Sequence, residues 1–560
     1  MGNFESNMSD MVDNDHESDS SSEDIEIGYD MLNLYLDYND GESDASHNDS
    51  NDDLLNLLLQ RFINTSRFNF DNSVFNSRRS CMPQIKAKTN LEALKKNYIY
   101  QSIKYGSGFG TDETSPMAKW SMVKMLQNRQ NGIGPKQGSF TQPDRCKLNN
   151  NYFPNCREPI MSYDAKVFCG TFSKNGDHFV TASQDNMIRI HDSTTMKYKC
   201  QNEIIATDVN WCILDIAFSP ASEYFVYSTW SSSLYYSGIQ EKSHQLKPLP
   251  LNPLKSSFCV FSLAFSNCGE KIIGGGSDGC LYVYDLVLNR RTLRCPFETD
   301  ALDVNAVGFI DDTSNIIFSG SDNGIIKIWD RRSLNETNPK EVGMFSGHLD
   351  GITYIDSKND SRYLISNSKD QTIKLWDMRM FSPSGNTNQS SSRRRTRYYN
   401  RWDYRWDTVP KEFYTDTVTL SDDASIMTYR GHRVKKTLIR AKFSPRETTG
   451  QRYIYTGCGT GRLIIYDVLT GKIIHTVKGH KDIVRDVAWH PSRTELLTSS
   501  WDGVVNLNWH GQKRTIQKRS FREMNRDEGS LNDDENTDSS LLPPRRSKRL
   551  AMRRMAQELN

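Results

Sequence analysis

The stretch SNSKDQTIKLWDMR, Ser366 to Arg379, holds a small-residue start, a charged tight turn at Lys369-Asp370-Gln371, an alternating run and an abrupt Trp-Asp stop. Alternation with period two is the pattern of a half-buried strand, and a polar turn in front of it makes a hairpin. The same phrase recurs as TASQDNMIRIHD (181–192), GGGSDGCLYVYD (274–285), SGSDNGIIKIWD (319–330), TGCGTGRLIIYD (456–467) and SSWDGVVNLNWH (499–510). Upstream of each lies a second alternating run: VFCGTFS, VFSLAFS, VNAVGFI, ITYIDS, IRAKFSP or VRDVAWHP. A weaker copy, WCILDIAFSP followed by YFVYSTWSSSLYYSG, fills 211–238, which makes seven copies with irregular spacing.

Gly-His at 347–348, 431–432 and 479–480 precedes three copies, and with the terminal Trp-Asp this resembles the WD40 repeat, four strands per blade. The resemblance implies an all-β, seven-bladed WD40 β-propeller closed by an outer strand taken from ahead of the first blade, at about residues 158–164. Closure has a physical reason: one blade cannot bury both faces of its sheet, but neighbours in a ring cover each other and leave only short edges. Asp185, Asp278, Asp322, Asp370 and Asp502 fall in the turns between second and third strands. In the repeat family such aspartates join a His, a Ser or Thr and the Trp in a structural network. His348, His432 and His480 are therefore read as fold residues, not catalytic ones.

The chain around this core is uneven. Its 560 residues carry 70 Lys and Arg against 69 Asp and Glu, yet no basic residue precedes Arg61. Residues 1–85 are expected to be mostly disordered, because the acidic start has too little apolar surface to offset the entropy of ordering. A short helix is placed at 53–63. Residues 86–157 are read as an N-terminal extension and 158–511 as the propeller, with an insertion at about 380–425 in the fifth blade. The basic tail 512–560 contains Arg545, Arg546, Lys548 and Arg549, a candidate nuclear-import signal. The 11 cysteines are scattered, with no Cys-x-x-Cys, which indicates a reducing compartment and no zinc site. No apolar run is long enough to cross a bilayer; a nuclear or cytoplasmic chain is expected. Met1-Gly2-Asn3-Phe4-Glu5-Ser6 fits the loose myristoylation pattern, but one acyl chain followed by an acidic tract makes a poor anchor.

Phosphate-loop, zinc-helix and nucleophile-elbow motifs are absent, so no metal or cofactor is expected and the reading is non-enzymatic. The specific signal is Trp329-Asp330-Arg331-Arg332 and Trp376-Asp377-Met378-Arg379, with Arg at the same offset on adjacent blades. Chance would put a basic residue there about one time in eight per site. The bland alternative is two surface arginines capping strand ends. The paired Trp-Asp-x-Arg resembles the signature of substrate receptors for cullin-4 RING ubiquitin ligases. Long runs such as LDGITYIDSKNDSRYLISNSKDQTIKLWDMR and TYRGHRVKKTLIRAKFSP are similar to one member type of that family, shared by animals and plants.

That resemblance implies docking of Trp329, Asp330, Arg332, Trp376, Asp377 and Arg379 on the ligase's damage-specific DNA-binding-protein adaptor. It also implies a protein substrate held elsewhere, on the opposite face or at the channel mouth. An N-terminal helix often assists such docking, which makes 53–63 the candidate, with a helix that merely packs on the propeller as the equal alternative. A rival reading is a scaffold in chromatin or RNA-associated complexes. It rests on the insertion, where Arg393, Arg394, Arg395, Arg397, Arg401 and Arg405 interleave with Tyr398, Tyr399, Trp402, Tyr404 and Trp406. Nucleic acid is nevertheless not expected as a partner, since Asp403 and Asp407 dilute the charge. Trp402-Asp403-Tyr404-Arg405 repeats the motif as text, but no alternating strand leads into it. The insertion is expected to be a strap packed on the rim of blades five and six.

Overall fold

The computed structural model describes residues 91–109, 122–132, 139–239, 246–254, 257–296, 302–383, 402–414, 420 and 422–511. The helix expected at 53–63 and the basic tail with Arg545, Arg546, Lys548 and Arg549 lie outside the described residues. Seven four-stranded antiparallel sheets follow one another as blades. Blade 1 spans Val167–Phe172 to Lys199–Ile205, and blade 2 Asp215–Phe218 to Lys247–Pro250. Blade 3 runs from Val260–Phe265 to Arg290–Pro296, and blade 4 from Val304–Phe309 to Gly343–Phe345. Blade 5 comprises Ile352–Ser357, Tyr363–Ser368, Thr372–Asp377 and Met427–Arg430; the insertion separates its last two strands. Blade 6 spans Ala441–Phe443 to Ile473–Lys478. Blade 7 has three strands of its own, and its outer strand comes from Cys156–Ser162, which pairs with Val504–Trp509. The closing strand thus starts two residues ahead of its sequence-based placement.

Why this sequence makes a ring is visible in where the apolar side chains go. Among the described residues seven of their eight clusters are each shared by two neighbouring blades. Trp329 of blade 4 packs with Ile273 and Val283 of blade 3, and Trp376 of blade 5 packs with Phe318 and Phe345 of blade 4. The sheets have no single shared core: each interface between blades is a thin apolar layer, so removing one blade would expose two of them. Outside blade 2 the second-to-third-strand turns carry a left-handed residue, for example Gly324 (φ 76°) in blade 4 and Gly503 (φ 79°) in blade 7. Blade 5 places Gln371 there instead, at φ 68°.

The extension adds helices α1 (Leu91–Lys96), α2 (Tyr98–Gly106), α3 (Met122–Gln130) and α4 (Gln142–Asn149). Leu94, Ile99 and Ile103 are buried in the layer between blades 5 and 6. Cys146 of α4 rests against the carbonyls of Arg446 and Glu447 in α5 (Arg446–Thr449), a loop helix of blade 6. Among the described residues, no helix is long and apolar enough to cross a membrane.

Candidate protein-docking site

In a four-stranded antiparallel sheet the first and third strands run the same way. Their C-terminal ends therefore share one face, while the second-to-third turns and fourth-strand ends share the other. Asp330 and Asp377 close third strands, so both Trp-Asp-x-Arg motifs lie on the first face. The Gly-His pairs and turn aspartates lie on the second.

On the first face the two motifs share one anchor. Trp329 donates its indole N–H to Ser319 Oγ at 2.9 Å, and Trp376 does the same to Ser366 Oγ at 2.8 Å. Both indoles are buried. The aspartates are wired differently. Asp330 accepts a fork from its own Arg332, at 3.0 Å from Nε and 2.7 Å from Nη2. The Arg332 hydrogen bonds hold the Asp330 carboxyl down at about 2. The Arg332 side chain is 68% exposed all the same. Asp377 accepts instead from Arg362, at 3.0 and 2.7 Å, and from Asn97 Nδ2 at 3.1 Å. Burial opposes ionisation of Asp377, but Arg362, the Arg379 N–H and Asn97 together hold its carboxyl below the usual carboxylate range. Arg379 is exposed, and its guanidinium has no acidic partner among the described residues.

Asn97 ties this face to the extension, and sequence reasoning missed it. As N-cap of α2 it accepts the Ile99 N–H at 3.1 Å, and its Oδ1 also accepts from Tyr363 Oη at 2.5 Å. Its local signal was legible: an Asn immediately before an apolar periodic stretch is a helix N-cap. Nothing local indicates that its amide reaches a residue 280 positions away.

On the second face His348 donates or accepts at Asp370 Oδ2 (2.9 Å) and Ser366 Oγ (2.6 Å), and Ser366 also receives Trp376. The order Asp-His-Ser looks like a nucleophilic triad, but all of it is buried and the Ser oxygen is already tied to two partners. Burial works against the charged form of Asp370, yet His348, Thr372 and the Leu349 N–H keep its carboxyl well below the ordinary range. Blade 7 repeats the pattern with His480, Asp502 and Thr498, and Asn508 donates to Thr498 Oγ1 (3.3 Å) from the position that Trp376 holds in blade 5. His432 does not follow it. It meets Tyr466 Oη (3.1 Å) and Asn367 Oδ1 (2.8 Å) of blade 5, because blade 6 has Cys458-Gly459-Thr460 where an aspartate would stand. Three turn aspartates meet no histidine: Asp185 pairs with Arg189, Asp278 with Arg294 and Tyr282, and Asp322 with Lys369 of the next blade.

An ion pair links two blades that are not neighbours in the ring. Arg440 of blade 6 reaches across to Asp215 of blade 2 (2.7 Å) and to Asp486 of blade 7 (3.2 Å), and Lys442 also holds Asp486 (2.9 Å). A cavity of about 250 Å³, lined by Phe172, Tyr354, Lys442 and Trp489, remains on the first face. Among the described residues no cluster of three His, Cys, Asp or Glu could hold a metal.

The WD domain, G-beta repeat family matches residues 157–192, 250–285, 290–330, 339–377 and 471–507. It passes over the third strands of blades 2 and 6. A DDB1- and CUL4-associated factor 11 homolog of Caenorhabditis briggsae is 36% identical over 414 residues, 72% of this chain and 72% of that protein. The chain belongs to the DDB1- and CUL4-associated factor 11 family. The Caenorhabditis elegans homolog is 38% identical over 379 residues, 66% of this chain and 65% of that protein, so the chain spans just under two thirds of it. The plant LEC14B protein of Lithospermum erythrorhizon is 38% identical over 403 residues, 70% of this chain and 82% of its own length.

Within this family member the described part of the insertion lies on the second face, not beside Arg332 and Arg379. Tyr404 sits under Lys369, with Nζ 4.4 Å from the ring centroid, and its carbonyl accepts the Lys436 N–H at 2.9 Å. Trp402 packs edge-on against Phe413, in a cluster with Leu349 and Leu420. Trp402-Asp403-Tyr404-Arg405 is a turn whose Arg405 forks onto Asp403, the same fork as Arg332 onto Asp330, built without a blade. Arg393, Arg394, Arg395, Arg397, Tyr398, Tyr399 and Arg401 lie outside the described residues.

Proposed function

We propose that this protein is the substrate-recognition subunit of a cullin-4 RING ubiquitin ligase and transfers nothing itself. It docks on DDB1 through the face carrying Arg332 and Arg379 and holds a target protein for ubiquitination. The observation that carries the reading is the pair of exposed arginines on one face, each three residues past a buried Trp, in a chain whose relatives are named as DDB1- and CUL4-associated. A guanidinium is weakly hydrated and planar, so it can be desolvated against acidic or carbonyl groups more cheaply than an ammonium. Holding the target beside the charged ubiquitin carrier raises the effective concentration of its lysines, and that is the receptor's whole catalytic contribution.

The test is capture of DDB1 by wild type and by Arg332→Ala/Arg379→Ala. The double variant is expected to lose at least about thirtyfold in affinity, the usual cost of truncating an interfacial hot-spot arginine. Its melting temperature should be unchanged, because neither guanidinium is buried. Equal capture by the two folded proteins overturns docking through these residues.

A further inference from the structure

Resting on that reading, we propose that the substrate site on the second face is a basic platform with an aromatic anchor, built where the insertion meets blade 6, and that it takes an acidic peptide. The platform comprises Arg433, Lys435, Lys436, Arg462 and Lys481, and the anchor is Trp406. Two independent observations carry it.

The first is unbalanced charge. Other cations of this propeller sit on a carboxylate, as Arg189 does on Asp185, Lys271 on Asp285, Arg294 on Asp278, Arg362 on Asp377 and Arg452 on Asp467. None of the five platform residues has an ion pair among the described residues. Arg433 and Arg462 flank the same Cys458 sulfur, through the Arg433 N–H at 3.3 Å and Arg462 Nη2 at 3.8 Å. Lys435 lies between Arg433 and Lys436 in the chain, and desolvation and these two like charges weaken its hold on its proton, with Asp407 the one carboxylate opposing them. Concentrated positive charge of this kind is costly for the free protein and is relieved by an anionic partner.

The second is Trp406, 80% exposed on a folded turn. An indole left in water on an ordered loop is the residue type that anchors protein interfaces. The platform is also rigid. Gln371 clamps the loop by accepting the Val434 N–H (2.8 Å) and donating to its carbonyl (2.9 Å). The Tyr404 carbonyl holds Lys436 at a left-handed φ of 65°. A preorganised surface loses little entropy on binding.

The same geometry favours peptide over single-stranded nucleic acid. Stacking needs several free rings, but Trp402, Tyr404 and Phe413 are spent on internal packing, and Trp406 alone among the four is fully outside.

The test uses the full-length protein and fluorescence anisotropy with three labelled probes: a peptide of glutamate and serine with one central phenylalanine, the same peptide with glutamine for glutamate, and oligouridylate. The glutamate peptide should bind and the glutamine peptide should not. Lys435→Glu/Lys436→Glu should weaken binding about tenfold or more, since each reversal replaces an attraction with a repulsion. Trp406→Ala should weaken it while leaving the melting temperature unchanged. Arg332→Ala/Arg379→Ala should bind the peptide as wild type does, and the platform variants should capture DDB1 as wild type does. Equal capture of DDB1 by wild type and Arg332→Ala/Arg379→Ala would count against the docking reading and not against the platform. Equal binding of the two peptides, undiminished binding by the charge-reversed protein, or tighter binding of oligouridylate overturns the proposal.

Discussion

Blades 4 and 5 end their third strands in the same letters, Trp-Asp-x-Arg, and hold them by different means. In blade 4 the motif is self-contained: Arg332 folds back on Asp330, and behind them Trp329 rests on Ser319. In blade 5 the motif is the meeting point of three elements. Asp377 is held by Arg362 of the second strand and by Asn97 of the extension, and Trp376 ends a buried chain through Ser366 and His348 to Asp370. The motif's Arg is thereby neutralised in one blade and, among the described residues, left without an ion pair in the other. Identical short motifs on one face therefore need not contribute equally.

The largest contrast is in stability. His348→Ala leaves the buried Asp370 carboxylate without its main partner, which costs about 3–5 kcal/mol for a pair broken on one side. Ser319→Ala in blade 4 removes one acceptor from the Trp329 indole and costs about 1–3 kcal/mol. Thermal unfolding of the two variants checks the order, and a larger loss from Ser319→Ala would erase the difference between the blades. Blade 5 also carries a pH dependence. Burial raises Asp350 to about 7, with Lys369 opposing and Asp322 and Asp370 reinforcing it. A carboxyl raised on folding binds its proton more tightly in the native state, so its stability contribution falls as pH climbs from the ordinary carboxylate range through about 7. Asp350→Asn should therefore gain roughly 2 kcal/mol on wild type between pH 5 and pH 8. Parallel melting curves at the two pH values test this.

How much of this was legible follows from the range of each interaction. Alternation, tight turns and Trp-Asp stops are local, and they are enough to count the blades, including the weak copy at 211–238. Ring closure says only that Val504–Trp509 needs a partner; that the partner comes from ahead of blade 1, within two residues of its observed place, was implied by the family resemblance. The wiring of the aspartates was not legible. Whether a turn aspartate meets a histidine, as Asp370 does, or the next blade's lysine, as Asp322 does, depends on what the neighbouring blade presents. The insertion illustrates the same limit. The sequence offered a strap on the rim of blades five and six and did not say which face it lies on; Tyr404, Trp402 and Phe413 have their apolar contacts and cation partner on the second face.

The unequal arginines give the next contrast, in DDB1 affinity. Arg379→Ala removes a guanidinium with no internal competitor and should cost about 2 kcal/mol. Arg332 must share its charge with Asp330, so Arg332→Ala should cost less, about 1 kcal/mol. Titration of DDB1 with the single variants orders them, and the reverse order would show that the Asp330 fork helps by orienting Arg332 more than it hinders by neutralising it.

The smallest effect is the most diagnostic. Asn97→Ala removes the α2 cap and the amide that reaches Asp377, at a cost of about 1 kcal/mol, the usual value for losing an N-cap. Arg362 remains on Asp377, so the strand itself should hold. Amide exchange should quicken over Tyr98–Gly106 and leave Thr372–Asp377 protected, because the helix is anchored by few residues and the strand is paired on both sides. If the extension braces the blade 5 motif, the same variant weakens DDB1 binding in wild type, and it adds little once Arg379 is already alanine. Additive losses in that double-mutant cycle would separate the extension from the motif it touches. Asn97 would then be a helix cap that happens to lie against a docking residue.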